Sequence, residues 1–312
     1  MSPSCTFSGL DADARAETRA RDFLDRFEAE VSTRFSDSDL SEINRAAGGQ
    51  AVEVGEHTAR LLYLCKSQFE EDRTDGLFSP ALYPLSELWG FAGEGEHRVP
   101  TAQEIGQVLP FCDFSQVSLE GNTVTKARAE TALDLGGVAK GYALQRMREI
   151  LVEEGATRGI VNLAGSLLVL GEKSEGEPYQ IAIEDPRAAE HGKPYAAVLR
   201  LSDCYVSTSS DAENFFTVGE TRYCHILDPR TGAPAETDLL SVTVVWQAGG
   251  TEEGGALSDL WSTAFYLMGM ERARAYAEEK GISVFLLGRD GRYYTDLPLV
   301  SHEQVYEGYL PL

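Results

Sequence analysis

The spacing of apolar residues predicts several amphipathic helices. In the first, over residues 11–31, apolar side chains recur at helical spacing and would share one face. That face would be formed by Phe23, Leu24, Phe27 and Val31. Similar periodicity, with Thr101 as an N-cap and Gly155 and Gly281 as stop signals, predicts further helices over 57–71, 101–109, 138–154 and 258–279.

Shorter apolar runs between turn-forming residues predict strands. Because these runs follow one another, with the helices grouped between them, the pattern indicates an α+β fold and not strict βαβ alternation. No repeat, linker or low-complexity stretch interrupts it, so we expect residues 1–312 to form a single domain. The predicted strands are 159–169, 179–184, 196–201, 205–207, 223–227, 240–246, 283–287 and 293–294, with turns at 75–80 and 289–292.

The chain is strongly acidic. Its 312 residues include 27 Lys and Arg against 50 Asp and Glu, which gives a formal net charge of −23. A surface that binds nucleic acid needs a basic face, so we expect no nucleic-acid partner. The same charge means that any bound pyrophosphate must be neutralised locally by Lys, Arg or a metal ion.

Two features predict a cytoplasmic protein without a membrane segment. Residues 1–30 contain no basic leader followed by an apolar run, and no later stretch approaches the ~20 apolar residues of a transmembrane helix. The five cysteines are odd in number, lie far apart and include no CxxC pair. That pattern is typical of reduced thiols and not of a disulfide framework or a zinc site.

Residues 134–141, DLGGVAKG, combine an acid, paired glycines and a lysine at the start of a predicted helix. A helix start carries unpaired backbone N–H groups and a partial positive charge, which favour a bound phosphate. Glycines let an anion approach the backbone, and Lys140 adds a full charge. The segment suggests a phosphate site, and an ordinary glycine turn before a core helix is the alternative.

Residues 224–234, CHILDPRTGAP, would bring a histidine, a carboxylate and an arginine into one tight loop. His225 would end a strand, and Asp228 would turn the chain, because a residue before proline avoids the helical region. Histidine is well suited to accept a hydroxyl proton near neutral pH. The alternative is a turn with an Asx-type hydrogen bond and a solvated Arg230.

Residues 258–264, SDLWSTA, place Asp259 and Thr263 four positions apart near a predicted helix start, so their oxygens would share a face. Hard cations such as Mg²⁺ take oxygen ligands and complete their shell with water or phosphate oxygens. The pair would supply part of such a shell. The alternative is an acid that stabilises the first turn of a helix through capping and the helix dipole.

Together these segments resemble one family, the FAD:protein FMN transferases, or ApbE family of flavin transferases. The resemblance covers most of the chain from about Ser32, and the order and spacing of its blocks agree throughout. The other matching blocks are STRF and DSDLSEIN (32–44), GLFSP and LWGF (76–91), and SVTVV (241–245).

The resemblance implies an α+β fold of two similar, closely packed α/β halves with mostly antiparallel sheets and FAD between them. It implies that FAD is the substrate and is split at its pyrophosphate. FMN would pass to a Thr or Ser hydroxyl of an acceptor protein as a phosphoester, and AMP would leave. Mg²⁺, or alternatively Mn²⁺, would be the cofactor.

The resemblance also assigns roles to residues at matching positions. The backbone carbonyl of Gly137, together with Asp259 and Thr263, would hold the metal. His225 would be the catalytic base. Asp228, in the same loop, is our second catalytic candidate, as an acid that orients the loop or as the next candidate for the base. The implied FAD contacts are Asp134, Lys140 and Ser262, with Phe35, Leu77 and Phe78 on the flavin side.

Four departures from the family pattern fall on the flavin and acceptor surfaces. They are the missing Met-Gly-Thr motif of the family's opening strand, Ser79 in place of the GxFD aspartate, NLAG (162–165) in place of NxGG, and TSSDAEN (208–214) in place of TSGDYxR. The metal and pyrophosphate set is intact. Three hypotheses therefore stand: a protein FMN transferase, a pyrophosphatase that releases FMN and AMP, and a non-enzymatic FAD-binding protein. The chain contains no S-G-A-T acceptor pattern, so we do not expect it to modify itself.

Overall fold

A computed structural model of the chain describes residues 4–70, 74, 76–93, 95–301 and 305–312. In this part of the chain the α-helices are α1 (Ala14–Val31), α2 (Asp39–Arg45), α3 (Glu56–Glu70), α4 (Tyr83–Trp89), α5 (Ala102–Val108), α6 (Gly136–Glu153), α7 (Ala188–His191), α8 (Gly254–Met268) and α9 (Met270–Lys280). Short 3₁₀ helices cover Pro80–Leu82, Leu109–Phe111 and Phe114–Gln116.

The strands of the same residues are β1 (Cys5–Ser8), β2 (Ala51–Glu53), β3 (Val117–Glu120), β4 (Thr123–Lys126), β5 (Gly159–Leu163), β6 (Ser166–Leu170), β7 (Tyr179–Glu184), β8 (Tyr195–Leu201), β9 (Cys204–Ser210), β10 (Phe215–Val218), β11 (Thr221–Cys224), β12 (Leu239–Gln247), β13 (Ser283–Gly288), β14 (Arg292–Thr295) and β15 (Leu310–Pro311). The chain divides into two compact units, each built from more than one segment of sequence.

The first unit, residues 1–23, 140–211 and 237–312, contains a large sheet. Its strand order is β1-β5-β6-β9-β12-β13-β14-β15, and every neighbouring pair is antiparallel except β14–β15. The central strand β12 reads LLSVTVVWQ and is buried from Leu239 to Val245, so both of its faces are covered. Valine and threonine suit such a strand because branched side chains pack well on a pleated surface.

Helix α8 covers one face of this sheet by packing against β9 and β12. Twelve of its 15 residues are buried, so it is a core helix and not an amphipathic surface helix. A second antiparallel pair, β7–β8, belongs to the same unit and packs into its hydrophobic core through Ile181, Ile183 and Leu199.

The second unit, residues 24–139 and 212–236, contains a three-stranded antiparallel sheet, β2-β4-β3, and the hairpin β10–β11. One of its apolar clusters joins Leu85 and Trp89 of α4 to Cys112 and Leu227. Leu227 lies in the segment that follows the hairpin, so this cluster anchors that segment to α4.

The sequence-based fold class is confirmed: the chain is α+β with mostly antiparallel sheets. Thr101 caps α5 as predicted, since its hydroxyl accepts the Glu104 N–H while the Glu104 carboxylate accepts the Thr101 N–H. The single domain expected over 1–312 stays a prediction. None of the helices in the described ranges combines the length and apolar character that a membrane span requires.

The single helix predicted over 258–279 is wrong, because α8 and α9 are separate. Gly269 lies between them with φ of 79° and ψ of 169°, a conformation that cannot continue an α-helix. The N–H of Met270 donates to Asp238 Oδ1 at 2.9 Å and so begins α9 on a partner from another segment. The helical spacing of apolar residues continues across Gly269, so the sequence pattern did not predict this break.

Two predicted strands also need correction. The strand predicted over 159–169 is the hairpin β5–β6, because Ala164 and Gly165 both have positive φ, as the type I′ form of a two-residue hairpin loop requires. The strand predicted over 223–227 ends at Cys224, since the chain turns toward Pro229 and Ala235 N–H donates to Ile226 O.

Several short elements escaped the pattern, among them β2, β3, β4 and β10. The strand β1 is present at the edge of the large sheet although the Met-Gly-Thr motif is absent from it. The ends of two predictions, Glu71 of the helix over 57–71 and Asp75 of the turn at 75–80, lie outside the described residues.

Candidate active site

Asp259 lies in the second turn of α8 and not in the first, because that helix begins at Gly254. The capping explanation for this acid is therefore wrong. Asp259 is only 4% exposed, and a buried carboxylate needs compensation. It has two partners from α6: Lys140 Nζ lies 3.3 Å from Oδ1, and the Gly141 N–H donates to Oδ2 at 3.1 Å.

Two glycines allow α6 and α8 to approach this closely. A Cβ atom on Gly141 would lie 2.0 Å from the Gly255 carbonyl oxygen and 2.9 Å from Asp259 Cβ. A Cβ atom on Gly255 would in turn lie 2.3 Å from the Gly141 carbonyl oxygen. The last glycine of DLGGVAKG therefore serves a helix contact, whereas the sequence suggested a phosphate contact for the block.

Replacing Gly141 with alanine should destabilise the protein by about 1–3 kcal/mol, because the two helices must separate to admit the methyl group. Metal binding at Asp259 should weaken with it. The control is Gly106→Ala in α5, where an added Cβ has nothing within 4 Å. Alanine is the better helix former there by about 1 kcal/mol, so that variant should melt at or above the wild-type temperature. Circular dichroism melts of both variants test this, and equal melting temperatures would contradict the close contact.

Thr263 follows Asp259 by one helical turn and is half-buried. Its Oγ1 lies 3.3 Å from the Oγ of Ser209 on β9. Carboxylate and hydroxyl oxygens on one helix face are hard donors, which suit Mg²⁺. Among the described residues no group of three or more His, Cys, Asp and Glu could hold a metal, so a zinc-type ligand set is not available there. A cation at Asp259 and Thr263 would complete its shell with backbone carbonyls, water or phosphate oxygens.

Ser262, expected to contact FAD, is fully buried against the sheet. Its hydroxyl donates to the Asp259 carbonyl oxygen at 2.8 Å and lies 2.8 Å from Ser209 Oγ. Both contacts lie inside the protein, so the structure gives Ser262 an internal role. Its contact with FAD stays a prediction.

The glycine block begins α6, and the side chain of Asp134 caps its first turn. The Gly136 N–H donates to Asp134 Oδ1 at 2.6 Å, and the Asp134 N–H donates to Pro80 O at 2.8 Å. The second bond ties the DLGG block to the GLFSP block, so two separate sequence motifs meet in the second unit. Gly137, whose carbonyl is the expected metal ligand, is the second residue of α6 and is half-buried.

Hydrogen bonds from the half-buried Asn44 and the buried Lys126 hold the residue before Asp134 in place. The Asn44 side chain accepts the Leu133 N–H at 2.7 Å and donates to the Leu133 carbonyl at 2.9 Å. Lys126 Nζ donates to the carbonyl oxygens of Asn44, Ala129 and Thr131 at 2.7–2.8 Å. Burial lowers the pKa of Lys126, and the nearby Glu130 opposes that shift. Asn44 belongs to a block that matches the family pattern. Lys126 was missed, because nothing in the sequence TVTK (123–126) indicates that its lysine is buried.

His225 follows directly after β11 and contacts the backbone of Asn214. Its N–H and its ring Nδ1 both approach the Asn214 carbonyl oxygen, at 3.0 and 3.2 Å. A carbonyl can only accept, so Nδ1 carries the proton and the lone pair of the neutral ring lies on Nε2. This tautomer is the one that a base acting through Nε2 needs.

Asp228 is engaged by Arg230 in the same loop. Its Oδ1 accepts the Arg230 N–H at 2.8 Å, an Asx-type turn, and its Oδ2 accepts Nη2 at 2.7 Å. Burial raises the pKa of the Asp228 carboxyl, but the hydrogen bonds and charge of Arg230 outweigh it, so the net pKa is lowered. A carboxylate with a lowered pKa is a weak base. The loop is also fixed from α4, since Trp89 Nε1 donates to the Gly232 carbonyl at 2.9 Å.

The three expected flavin-side residues differ in exposure. Phe35 is 41% exposed, as a ligand contact requires. Leu77 and Phe78 are 1% and 6% exposed, so their side chains belong to the core of the described protein. The large majority of their surface serves packing, and their flavin contact stays a prediction.

The site residues divide between the two units. The first contains Lys140, Asp259, Ser262 and Thr263, and brings them together at the α6–α8 contact. The second contains Phe35, Leu77, Phe78, Asp134, Gly137, His225 and Asp228, with the last two in one loop.

Comparison with known proteins decides the family. The sequence model of the ApbE family matches residues 2–286. The chain belongs to the ApbE family. This ApbE-family chain is 30% identical over 280 residues to the FAD:protein FMN transferase of Vibrio cholerae, covering 89% of the chain and 81% of that protein. It is 30% identical over 300 residues to the FAD:protein FMN transferase of Treponema pallidum, covering 91% of the chain and 80% of that protein.

Solved structures of ApbE proteins share the fold. The apo flavinyl transferase ApbE of Pseudomonas stutzeri is 31% identical and matches with a TM-score of 0.78, over 95% of this chain and 90% of that one. The ApbE protein of Thermotoga maritima is 29% identical and matches with a TM-score of 0.80, over 98% and 95%.

Sequence reasoning missed residues of this ApbE-family chain that contact the candidate site. Gly255 and Ser209 are the two that touch it most directly. Ser209 lies in the TSSDAEN segment that was aligned with the family's TSGDYxR, so the resemblance marked its segment without assigning it a role. Gly255 had no signal, because glycines in a Gly-rich loop before a helix are common.

Proposed function

We propose that this chain transfers the FMN moiety of FAD to a Thr or Ser hydroxyl of an acceptor protein and releases AMP. Family membership and similarity to FAD:protein FMN transferases support the reaction class. The observation that carries the proposal is the buried Asp259 carboxylate, held between Lys140 and Gly141 with Thr263 one turn away. Because the protein is acidic, the charge of a bound pyrophosphate must be neutralised locally. Lys140 and a cation at Asp259 would do this.

Asp259 and Thr263 would hold Mg²⁺, with Mn²⁺ as the alternative and the Gly137 carbonyl as a further ligand. When bound, the cation would neutralise charge on the phosphate oxygens of FAD, which is the main requirement of phosphoryl transfer. Lys140, a third of whose side chain is exposed, would add a positive charge facing the pyrophosphate. The start of α6 at Gly136, capped by Asp134, would contribute its backbone dipole.

In the chemical step, the acceptor hydroxyl oxygen attacks the phosphorus of the FMN moiety. The bond between that phosphorus and the bridging pyrophosphate oxygen breaks, and AMP leaves with the bridging oxygen. The hydroxyl proton passes to His225 Nε2, the ring nitrogen that the Asn214 contact leaves unprotonated. Asp228 would keep the loop in place through Arg230.

The reaction is tested by incubating the protein with FAD and Mg²⁺, with and without a peptide that contains Ser-Gly-Ala-Thr. We expect AMP release that depends on the peptide and equals the amount of peptide-bound flavin, measured by chromatography and fluorescence. The matched control is a peptide with alanine in place of both serine and threonine. AMP and free FMN in equal amounts without any peptide would instead support a pyrophosphatase. FAD binding without AMP in either arm would support a non-enzymatic FAD-binding protein.

A further inference from the structure

Two pairs of serines join β9 to α8 at equivalent positions, two residues apart on the strand and four apart on the helix. Ser207 Oγ lies 3.0 Å from Ser258 Oγ, and Ser209 Oγ lies 2.8 Å from Ser262 Oγ. All four residues are buried. The pairs repeat because every second residue of a strand shares a face, and residues four apart share a helix face.

Each helix serine uses its single proton on the helix backbone. Ser258 Oγ donates to Gly255 O and Ser262 Oγ donates to Asp259 O, both at 2.8 Å. A carbonyl oxygen can only accept, and a hydroxyl has one proton to give. The strand serine must therefore be the donor in each pair, so the proton of Ser209 is committed to Ser262.

The second pair differs from the first in one contact. Ser209 Oγ also lies 3.3 Å from Thr263 Oγ1. Since the proton of Ser209 is already committed, Thr263 must donate in this contact, which is the longest of the series. The hydroxyls form a directed chain from Thr263 through Ser209 and Ser262 to the carbonyl of Asp259.

We infer that Ser209 is a positioning residue for the cation site, one that takes the proton of Thr263 and turns the lone pairs of Thr263 Oγ1 toward the cation. This inference rests on the proposed metal site at Asp259 and Thr263. A hydroxyl serves as a cation ligand through its lone pairs, so its proton must point elsewhere. Without an acceptor on the sheet side, the Thr263 hydroxyl rotates among other orientations and is less prepared to bind a cation.

The experiment uses Mn²⁺ as the probe, titrated by calorimetry into protein freed of metal with EDTA and desalted. Ser209→Ala should weaken Mn²⁺ affinity by about fivefold to tenfold, the effect of losing one hydrogen bond. Ser207→Ala is the matched control, because it removes an equivalent buried serine pair that does not touch Thr263. It should lower the melting temperature to a similar extent and leave Mn²⁺ affinity within about twofold of wild type. Ser209→Thr, which retains a hydroxyl, should recover most of the lost affinity.

A double-mutant cycle shows whether Ser209 acts through Thr263. Thr263→Val removes the hydroxyl at nearly constant volume, and in that background Ser209→Ala should cause no further loss of Mn²⁺ affinity. In turnover, Ser209→Ala should raise the Mg²⁺ concentration needed for half-maximal rate and leave the rate at saturating Mg²⁺ nearly unchanged.

Equal Mn²⁺ affinity in Ser209→Ala and Ser207→Ala, with wild-type binding intact, would overturn the inference and leave the proposed function in place. Additive losses in the double-mutant cycle would overturn it as well. A different outcome would contradict the metal site itself. If wild type binds no Mn²⁺, or if Asp259→Asn binds Mn²⁺ as wild type does, the proposed site at Asp259 is wrong and the role of Ser209 is wrong with it.

Discussion

Asp259→Asn should reduce Mg²⁺-stimulated AMP release by about 10³-fold or more. Asparagine keeps an oxygen that can accept the Gly141 N–H but removes the charge that a cation needs. Lewis-acid stabilisation by a bound metal is worth several kcal/mol, and each 1.4 kcal/mol is a factor of ten in rate. The measurement is initial AMP release against Mg²⁺ concentration, together with Mn²⁺ titration of the same preparation.

The control for Asp259→Asn is Asp185→Asn, the same change at another buried acid of the first unit. Asp185 accepts from the Tyr309 hydroxyl and the Arg187 N–H, and neither belongs to the candidate site. The Asp185→Asn variant should keep its Mg²⁺-stimulated AMP release even if its melting temperature is lower. A full Mg²⁺ response in Asp259→Asn, or activity that survives EDTA, would place the metal elsewhere.

His225→Ala should bind FAD and Mn²⁺ nearly as wild type does and release AMP at least ~100-fold more slowly. A hydroxyl is a poor nucleophile until its proton has an acceptor, and general-base help contributes ~10²–10⁴-fold. The contact between Nδ1 and the Asn214 carbonyl places the ring proton on Nδ1, and Nε2 is the nitrogen that we propose accepts the hydroxyl proton. Equilibrium FAD binding and single-turnover AMP release on the same variant separate binding from chemistry.

His97→Ala is a suitable control, because His97 is another histidine of the second unit. It stacks on Phe216 and does not belong to the loop of residues 224–234. Its turnover should stay within a few fold of wild type. Asp228→Asn should show a milder loss than His225→Ala, since it weakens the contact with Arg230 but leaves the histidine. Parallel loss of FAD binding and turnover in His225→Ala would make the histidine a binding contact, and Asp228 with its lowered pKa would be a poor replacement base.

The local chemistry of the site could be predicted from the sequence because it lies in short motifs. DLGGVAKG begins a helix, HILDPRTGAP forms a tight turn, and Asp259 with Thr263 shares a helix face, all through interactions within a few residues. The α+β class followed for the same reason, since strand and helix periodicities are local properties. The roles of the site residues stay predictions until the variants are measured.

The distant residues that complete those motifs become visible only in the folded chain. The break at Gly269 depends on Asp238, and the close helix contact depends on Gly141 meeting Gly255. The orientation of the Thr263 hydroxyl depends on Ser209, which is 54 positions away. Residues such as these are brought together by sheet pairing and helix packing, and periodicity contains no information about which strand will lie beneath which helix. Local sequence therefore specifies the motifs and the α+β class, whereas sheet pairing and helix packing select the partners that hold Asp259 and Thr263 in place.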